Sequence, residues 1–300
     1  MRRANQYSCQ NRTPARPTMT DYAARDAALS RKFRQPVHKR PSQEYCNMVD
    51  EQGNGSMLWI SGDKKTVMKT PEAWHLDGCT DNGKAEYEGF ERESREFLER
   101  EKEIYQHLGN HEGLLPYLSI TDLGIVFPYM KNGNLRQFLT KLDEDMRCAL
   151  RFYWIKSALT TFIFIHGKGV IQADVSTRNF LVSNDLSLLL CDFAGSKIGD
   201  KKNLVRPETC YEKFHASGRM PISIETEIFA IGSLIYEIST GKKPYDEKTD
   251  EEVESLFMRN VFPDTGDVLF GSIVKKCWYG EFESASEVLK AFLETEKSEE

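Results

Sequence analysis

Two stretches of the chain bring acidic residues to the ends of apolar runs: Gln172-Ala173-Asp174-Val175-Ser176-Thr177-Arg178-Asn179 and Leu188-Leu189-Leu190-Cys191-Asp192-Phe193-Ala194-Gly195. Asp174, Asn179 and Asp192, on loops flanking one hairpin, are hard oxygen donors of the kind Mg²⁺ takes. An Asx turn at a strand end accounts for any one of them alone and accounts poorly for the set. A third charged residue stands out further upstream. Phe97, Leu98, Ile104, Tyr105 and Leu108 form an apolar helical stripe, and Glu101 occupies its missing i+4 position. A carboxylate on such a face needs a cation nearby or it is heavily penalised by desolvation. Lys69, at the end of Thr66-Val67-Met68-Lys69, is the best placed partner; a plain strand-edge lysine is the competing reading. Arg95, Glu96, Glu99, Arg100, Lys102 and Glu103 lie mostly off the stripe and read as a solvated face.

The elements that must position these groups fall into two textures. From about 45 to 127 the signals are strand-like, with short apolar pieces at Met57–Ile60, Thr66–Lys69, Leu114–Ile120 and Gly124–Phe127 set between Gly, Asp and Asn. One helix, Ser94 to Leu108, stands among them and is closed by Gly109, after a polar loop over 71–92. Beyond about 134 the spacing turns helical, at Ala149–His166 and at Thr226–Thr240, the latter followed by Gly241 and Pro244. Between those helices Phe180–Ser183 and Leu186–Cys191 read as a hairpin turning at Asn184-Asp185. The expected fold class is α+β, a small β-rich lobe with one helix followed by a larger helical lobe.

The ordered set of motifs resembles the eukaryotic-type protein kinases, over about residues 49–292, with a phrasing similar to the divergent kinases of filamentous fungi. Val67-Met68-Lys69 resembles the family's strand lysine motif, Glu101 its helix glutamate, and Gln172 through Asn179 its catalytic loop. Asp192-Phe193-Ala194 resembles the DFG motif, and Thr226–Tyr245 resembles the long buried helix and its Thr-Gly-x-x-Pro ending. The resemblance implies ATP- and Mg²⁺- (or Mn²⁺-) dependent phosphoryl transfer to a protein hydroxyl, of Ser/Thr type. It assigns Lys69 to the phosphates, Glu101 to orienting Lys69, Asn179 and Asp192 to the metal, and Asp174 to the acceptor hydroxyl. Arg178 takes the place of a phosphate-contacting lysine. Gly53, Gly55 and Ile60 belong to the phosphate loop region, Val67 and Leu181 sandwich the adenine, and Phe127 precedes the hinge residues Pro128, Tyr129 and Met130. Asn134 is assigned to the ribose.

Departures from the family pattern keep a second reading open, a pseudokinase that binds nucleotide or a partner without turnover. Leu58 stands where the third glycine of the phosphate loop falls, Gln172 and Ala173 replace His and Arg, and Ala194 replaces the last residue of DFG. In the family that arginine reads a phosphate on the segment after DFG, so phosphorylation of residues 196–220 is not expected to switch this chain. Glu227 replaces an aspartate that accepts backbone hydrogen bonds. A third reading, a small-molecule phosphotransferase, shares the Asp-to-Asn step but not the 226–245 helix.

The whole chain, 300 residues, carries a net charge of −6, which divides unevenly. Residues 1–42 hold ten Lys/Arg against two acids, whereas the remainder has a net of −14. Such an acidic body has no overall field for nucleic acid. The expected organisation is a disordered basic tail over 1–44 and a kinase domain over 45–296, with lobes at 45–127 and 134–296 joined by a hinge at 128–133. The tail, with Arg31, Lys32, Arg34, Lys39 and Arg40, is a candidate for an acidic partner or an import factor; a plain solvated linker is the alternative. The apolar runs fall short of a membrane span, no apolar segment follows Arg2 and Arg3, and seven scattered cysteines form no C-x-x-C pair. These features point to a reducing intracellular location, cytoplasmic or nuclear, with a protein substrate and no membrane. His107 and His111, at helical spacing, are set aside as a metal pair because Gly109 lies between them, and Trp278 reads as core.

Overall fold

The computed structural model describes residues 37–48, 55–77 and 79–299. They fall in two units, one made of 37–39 and 73–89 and the other of 40–72 and 90–299. In the small unit, β1 (Val37–His38) pairs antiparallel with β5 (Trp74–His75). Lys39 N–H donates to Ala73 O at 2.7 Å, and the Trp74 ring packs on His38 and edge-on to Tyr87. Val37 and His38 thus form a strand inside the span read as tail. Most of that tail lies outside the described residues, as do Arg31, Lys32 and Arg34 of its basic cluster.

The helix read as starting at Ser94 starts earlier. Helix α1 runs Asp81–Leu108, capped where the Gly83 N–H donates to the Thr80 hydroxyl. Its first part looks like polar loop because charges and Gly83 and Gly89 dominate it, while Tyr87 and Phe90 supply too few apolar positions to reveal the period.

In the larger unit β2 (Tyr45–Met48), β3 (Met57–Ser61), β4 (Thr66–Thr70), β6 (Ser119–Ile120) and β7 (Ile125–Pro128) form an antiparallel sheet in the order β2-β3-β4-β7-β6. Period-two alternation sends Met57, Trp59, Met68 and Val126 to one face, where they pack with Tyr45. The other face carries Leu58, Ile60, Val67, Lys69, Ile125 and Phe127, directly opposed in register. Of the run 114–120, only Ser119–Ile120 pairs as a strand of this sheet. Leu114 instead bridges to Leu190.

After β7 the chain is mainly helical: α2 (Leu135–Leu139), α3 (Glu144–Gly167), α4 (Ile224–Thr240), α5 (Asp250–Met258), α6 (Gly271–Tyr279) and α7 (Ala285–Glu299). Helix α3 is long and apolar enough to cross a membrane by length and composition, but Trp154, Ile155, Ala158, Leu159, Phe162 and Ile165 are buried in the core. Helix α4 lies in the same core. It opens with a reciprocal Ser223–Thr226 capping box and ends on Gly241 with φ 74°, as its sequence implies. Burying each large apolar side chain of such a core contributes roughly 1.5–3 kcal/mol. Trp278, read as core, is fully buried and donates its indole N–H to the Ser233 hydroxyl at 3.1 Å.

Strands β8 (Val170–Ile171), β9 (Phe180–Val182), β10 (Leu188–Leu190) and β11 (Lys197–Ile198) carry the loops of interest. Strands β9 and β10 form the expected hairpin, and β11 pairs antiparallel with β8.

Candidate active site

Strand β4 aims Lys69 off the sheet toward α1. Its Nζ lies 2.7 Å from Glu101 Oε2 and 2.7 Å from Asp192 Oδ1. Burial alone would lower the Lys69 pKa, but the Asp192 and Glu101 carboxylates outweigh it and hold the ammonium charged. Burial pushes the Glu101 carboxyl up despite Lys69, whereas Lys69 outweighs burial and holds Asp192 below its ordinary value. Glu101 also accepts a hydrogen bond from Phe193 N–H at 3.3 Å. One turn along α1, the Tyr105 ring meets Phe193 edge-on at 5.3 Å. Helix α1 therefore fixes Phe193 directly, through Glu101 and Tyr105, and Asp192 only through Lys69. Asp192 sits at φ 60°, in the left-handed region, while Ala194 is absent from that region among the described residues, so alanine there carries no such strain.

The loop after β8 is held from two sides. Glu227 of α4 accepts from Gln172 N–H at 3.1 Å and Ala173 N–H at 2.9 Å, and His166 Nε2 lies 2.8 Å away. This holds Ala173 at φ 66°, costly for any residue with a Cβ. Gln172, fully buried, accepts from Asp174 N–H at 2.6 Å and donates through Nε2 to Asp192 O at 3.0 Å. One side chain thus ties the backbones of the two aspartates together. That role escaped the sequence reading, which treated Gln172 only as a departure. Asn179 Nδ2 donates to Asp174 O at 2.7 Å and Oδ2 at 3.1 Å. Asp174 Oδ1 is buried with no hydrogen-bond partner. Burial, with the Asp192 charge, pushes the Asp174 pKa to about 7 against the opposing Arg178.

Arg178 does not stand alone beside this loop. Its Nε donates to Glu208 Oε1 at 2.7 Å. Arg136 of α2 donates through Nη1 to both oxygens of Glu208 at 2.9 and 3.0 Å and makes a fork, through Nε and Nη2, to Glu237 of α4 at 2.8 and 3.0 Å. Lys243 Nζ lies 3.9 Å from Glu208. Thr177 donates to Glu237 at 2.7 Å, and the Tyr211 hydroxyl also donates to Glu237. Burial raises and Arg178 and Arg136 lower the Glu208 pKa, with the cations prevailing. Glu208, Arg136 and Glu237 are site neighbours the sequence did not reveal, because 29 to 101 residues separate them. Glu212, not Glu208, is the deeply buried carboxylate at the end of this segment, facing Arg206 and Arg219.

Of the residues expected to hold nucleotide, Ile60 and Val67 stand with Phe127 in one cross-strand row, and Asn134 bridges to Leu181. Tyr129 N–H donates to Lys65 O and Gly133 N–H to Met130 O, which folds the hinge back toward α2. Asn134, expected at the ribose, spends its side-chain oxygen capping α2 by accepting from Gln137 N–H at 3.0 Å. Gly55 has φ 72°, and a Cβ there would approach the Phe97 ring to 2.9 Å, so this position is restricted to glycine. Gly53 lies outside the described residues. Cys191, between β10 and Asp192, has its thiol pKa pushed up by burial and stays protonated.

Asn179 and Asp192 fit a divalent cation: both offer hard oxygen, and Asn179, donating through its nitrogen, turns its amide so that the oxygen is its remaining donor atom. Among the described residues no group of three or more His, Cys, Asp or Glu gathers into a metal site. Two protein oxygens with the balance from phosphate and water is how Mg²⁺ binds at nucleotide sites. His107 and His111 do not meet at such a site: His107 Nε2 lies 2.8 Å from Lys168 O, and His111 stacks on Phe164.

A family model described as protein tyrosine and serine/threonine kinase matches residues 84–288. The chain belongs to this protein kinase family. Among curated proteins it is similar to the RGS domain-containing serine/threonine-protein kinase A of Dictyostelium discoideum, 20% identical over half of this chain and 14% of that protein. It is also similar to human 3-phosphoinositide-dependent protein kinase 1, 25% identical over 50% of this chain and 28% of the relative. A third relative is the serine/threonine-protein kinase STE20 of Eremothecium gossypii, 27% identical over 59% and 17%. The chain thus spans less than a third of the length of each of these relatives.

Proposed function

We propose that this chain transfers the γ-phosphoryl group of ATP to a protein hydroxyl, of Ser/Thr type, with Mg²⁺ or Mn²⁺. The observation that carries the reading is the joined state of the site: Lys69 bonded to both Glu101 and Asp192 while Asn179 and Gln172 hold Asp174 beside them. The metal, when bound, offsets charge between the β- and γ-phosphates. Asn179 and Asp192 supply its protein oxygens. Lys69 neutralises and orients phosphate oxygens, and Glu101 keeps its ammonium aimed. Asp174 orients the acceptor hydroxyl through its unpartnered Oδ1 and takes up the proton. Arg178 adds positive charge beside Asp174 from its pair with Glu208. Val67, Ile60 and Leu181 bracket the adenine, with hinge groups at Tyr129 and Met130, and Gly53 and Gly55 give the phosphates close access to backbone. The family to which the chain belongs phosphorylates proteins, so the substrate is read as another protein. Cys79, Cys148, Cys191, Cys210 and Cys277 are free thiols, and the compartment is read as reducing and intracellular, cytoplasmic or nuclear. The basic tail is assigned to an acidic partner.

The test is phosphoryl transfer from γ-labelled ATP with Mg²⁺ or Mn²⁺ to Ser/Thr and Tyr acceptor proteins and to small hydroxyl compounds, with Asp174→Ala as control. Transfer to Ser/Thr protein, lost in Asp174→Ala, is expected. A nucleotide-induced rise in melting temperature without turnover would overturn catalysis in favour of the nucleotide-binding pseudokinase.

A further inference from the structure

Arg100 precedes Glu101 on α1, and its composition-level reading as part of a solvated face does not hold. Its side chain is only 10% exposed. A single guanidinium nitrogen, Nη1, donates to the carbonyls of Ser196 and Lys202, each at 2.8 Å. Both acceptors lie on the segment that follows Asp192. Glu103, on the next turn, lies 4.0 Å from Arg100 Nε and accepts from Lys201 Nζ, adding a second tie to the same segment.

The segment is shaped to offer those carbonyls. Leu204 N–H donates to Gly195 O at 2.8 Å and closes the loop at its base, and Lys201 N–H donates to Ile198 O at 3.0 Å. Gly195 is required at the closure, since a Cβ there would meet Val205 Cγ2 at 2.0 Å. The buried Ser196 hydroxyl donates to Gln172 O at 2.7 Å, which joins the loop to the stretch that carries Asp174. One side chain therefore connects the helix bearing Glu101, the segment bearing Asp192, and, through Ser196, the Asp174 loop. Nothing in that path uses a phosphate. Ala173, which stands beside Asp174, has no charged side chain to read one.

We propose that Arg100 is the positioning residue that clamps residues 196–202 to α1, so that the Lys69–Glu101–Asp192 contact forms without phosphorylation of the segment. This rests on the kinase reading of the site, and it concerns regulation of that site. Without the clamp, α1 and the segment keep only the exposed Glu103–Lys201 tie: the two carbonyls take water as partners, and Glu101 is held less firmly in register with Lys69 and Asp192.

The test compares wild type, Arg100→Gln and Arg100→Lys in the full chain. Hydrogen exchange of the backbone amides of 195–204 decides the clamp regardless of turnover: faster exchange in Arg100→Gln is expected, and unchanged exchange would overturn the proposal. In turnover, phosphatase-treated wild type should keep its kcat, and Arg100→Gln should lose about tenfold in kcat with little change in the KM for acceptor protein. Arg100→Lys, which keeps the charge and donor hydrogens on a shorter side chain, should recover only part of it. Loss of wild-type activity on dephosphorylation, restored by rephosphorylating the segment, would overturn the proposal. So would a loss in Arg100→Gln that merely follows a lowered melting temperature. If wild type turns over no acceptor, the kinase reading fails while the exchange result still decides the clamp.

Discussion

Lys69 Nζ and Glu101 Oε2 stand 2.7 Å apart with side chains 8% and 1% exposed, and the same ammonium lies 2.7 Å from Asp192. One cation between a buried carboxylate and a half-buried one is a costly arrangement to assemble, and it is tolerated because all three groups are paired. Its location at the junction of β4, α1 and the segment after β10 makes it the point where the two lobes register.

Removing the cation alone should therefore hurt more than removing it together with Glu101. Lys69→Met leaves Glu101 and Asp192 facing each other in low dielectric and should cost about 3–5 kcal/mol in urea unfolding. Lys69→Met/Glu101→Leu should recover most of that stability, and neither variant should turn over. Lys69→Met unfolding at the wild-type urea concentration would contradict this account of the pair.

Glu227 holds the loop before Asp174 by two backbone hydrogen bonds and faces His166. Glu227→Gln replaces one acceptor oxygen with a donor, so one amide must go unmet. Losing a charge-assisted bond of this kind costs roughly 1.5–3 kcal/mol. Because the bond also restrains Ala173 at φ 66°, kcat should fall with stability. Glu227→Asp should fall between the two, short by one methylene of reaching both amides. The paired readout is melting temperature and kcat; equal values for wild type and Glu227→Gln would remove the capping role.

Arg136 serves two carboxylates, Glu208 through Nη1 and Glu237 through a fork of Nε and Nη2. Arg136→Met leaves both without that cation, although Arg178 and Lys243 still serve Glu208. A loss of about 3–5 kcal/mol is expected, with Glu237 the larger contributor because only neutral hydroxyls remain to it. The double variant Arg136→Met/Glu237→Gln should lose distinctly less than the sum of the singles, a coupling measurable by a double-mutant cycle. Additive losses would mean the fork carries no net energy.

Much of this arrangement was legible in the sequence, and the reasons are local. Glu101 was conspicuous because a carboxylate broke an apolar stripe, and the hairpin between Asn179 and Asp192 was readable from two short apolar runs either side of Asn184-Asp185. The network around Arg136 was not, because Glu208 and Glu237 lie 72 and 101 residues away and nothing local marks a charge as buried. Arg100 and Lys102 show the same limit: beside the apolar stripe they look solvated, yet both are nearly buried, Lys102 against Glu99 at 2.7 Å. Long flexible side chains bury their stems whatever their sequence neighbours. The start of α1 was misplaced because its first turns carry too few apolar residues to display a period.

The unpartnered Oδ1 of Asp174 leads to a stability experiment that needs no substrate. In the folded protein burial raises the carboxyl to about 7, from the ordinary aspartate value of 3.8. Between those values the folded chain binds more protons at this site than the unfolded chain, so stability falls as pH rises through that window. Above it the ionised carboxylate is a standing cost of the folded state. Asp174→Asn removes that cost while keeping an oxygen for the Asn179 amide, so the nucleotide-free variant should melt a few degrees above wild type at pH 8. The advantage should shrink steadily toward pH 4, where Asp174 is neutral in wild type. Melting curves of both proteins across that range are the measurement. An asparagine variant no more stable than wild type at pH 8 would mean that Asp174 is well solvated, and its place as the buried acceptor in this site would have to be given up.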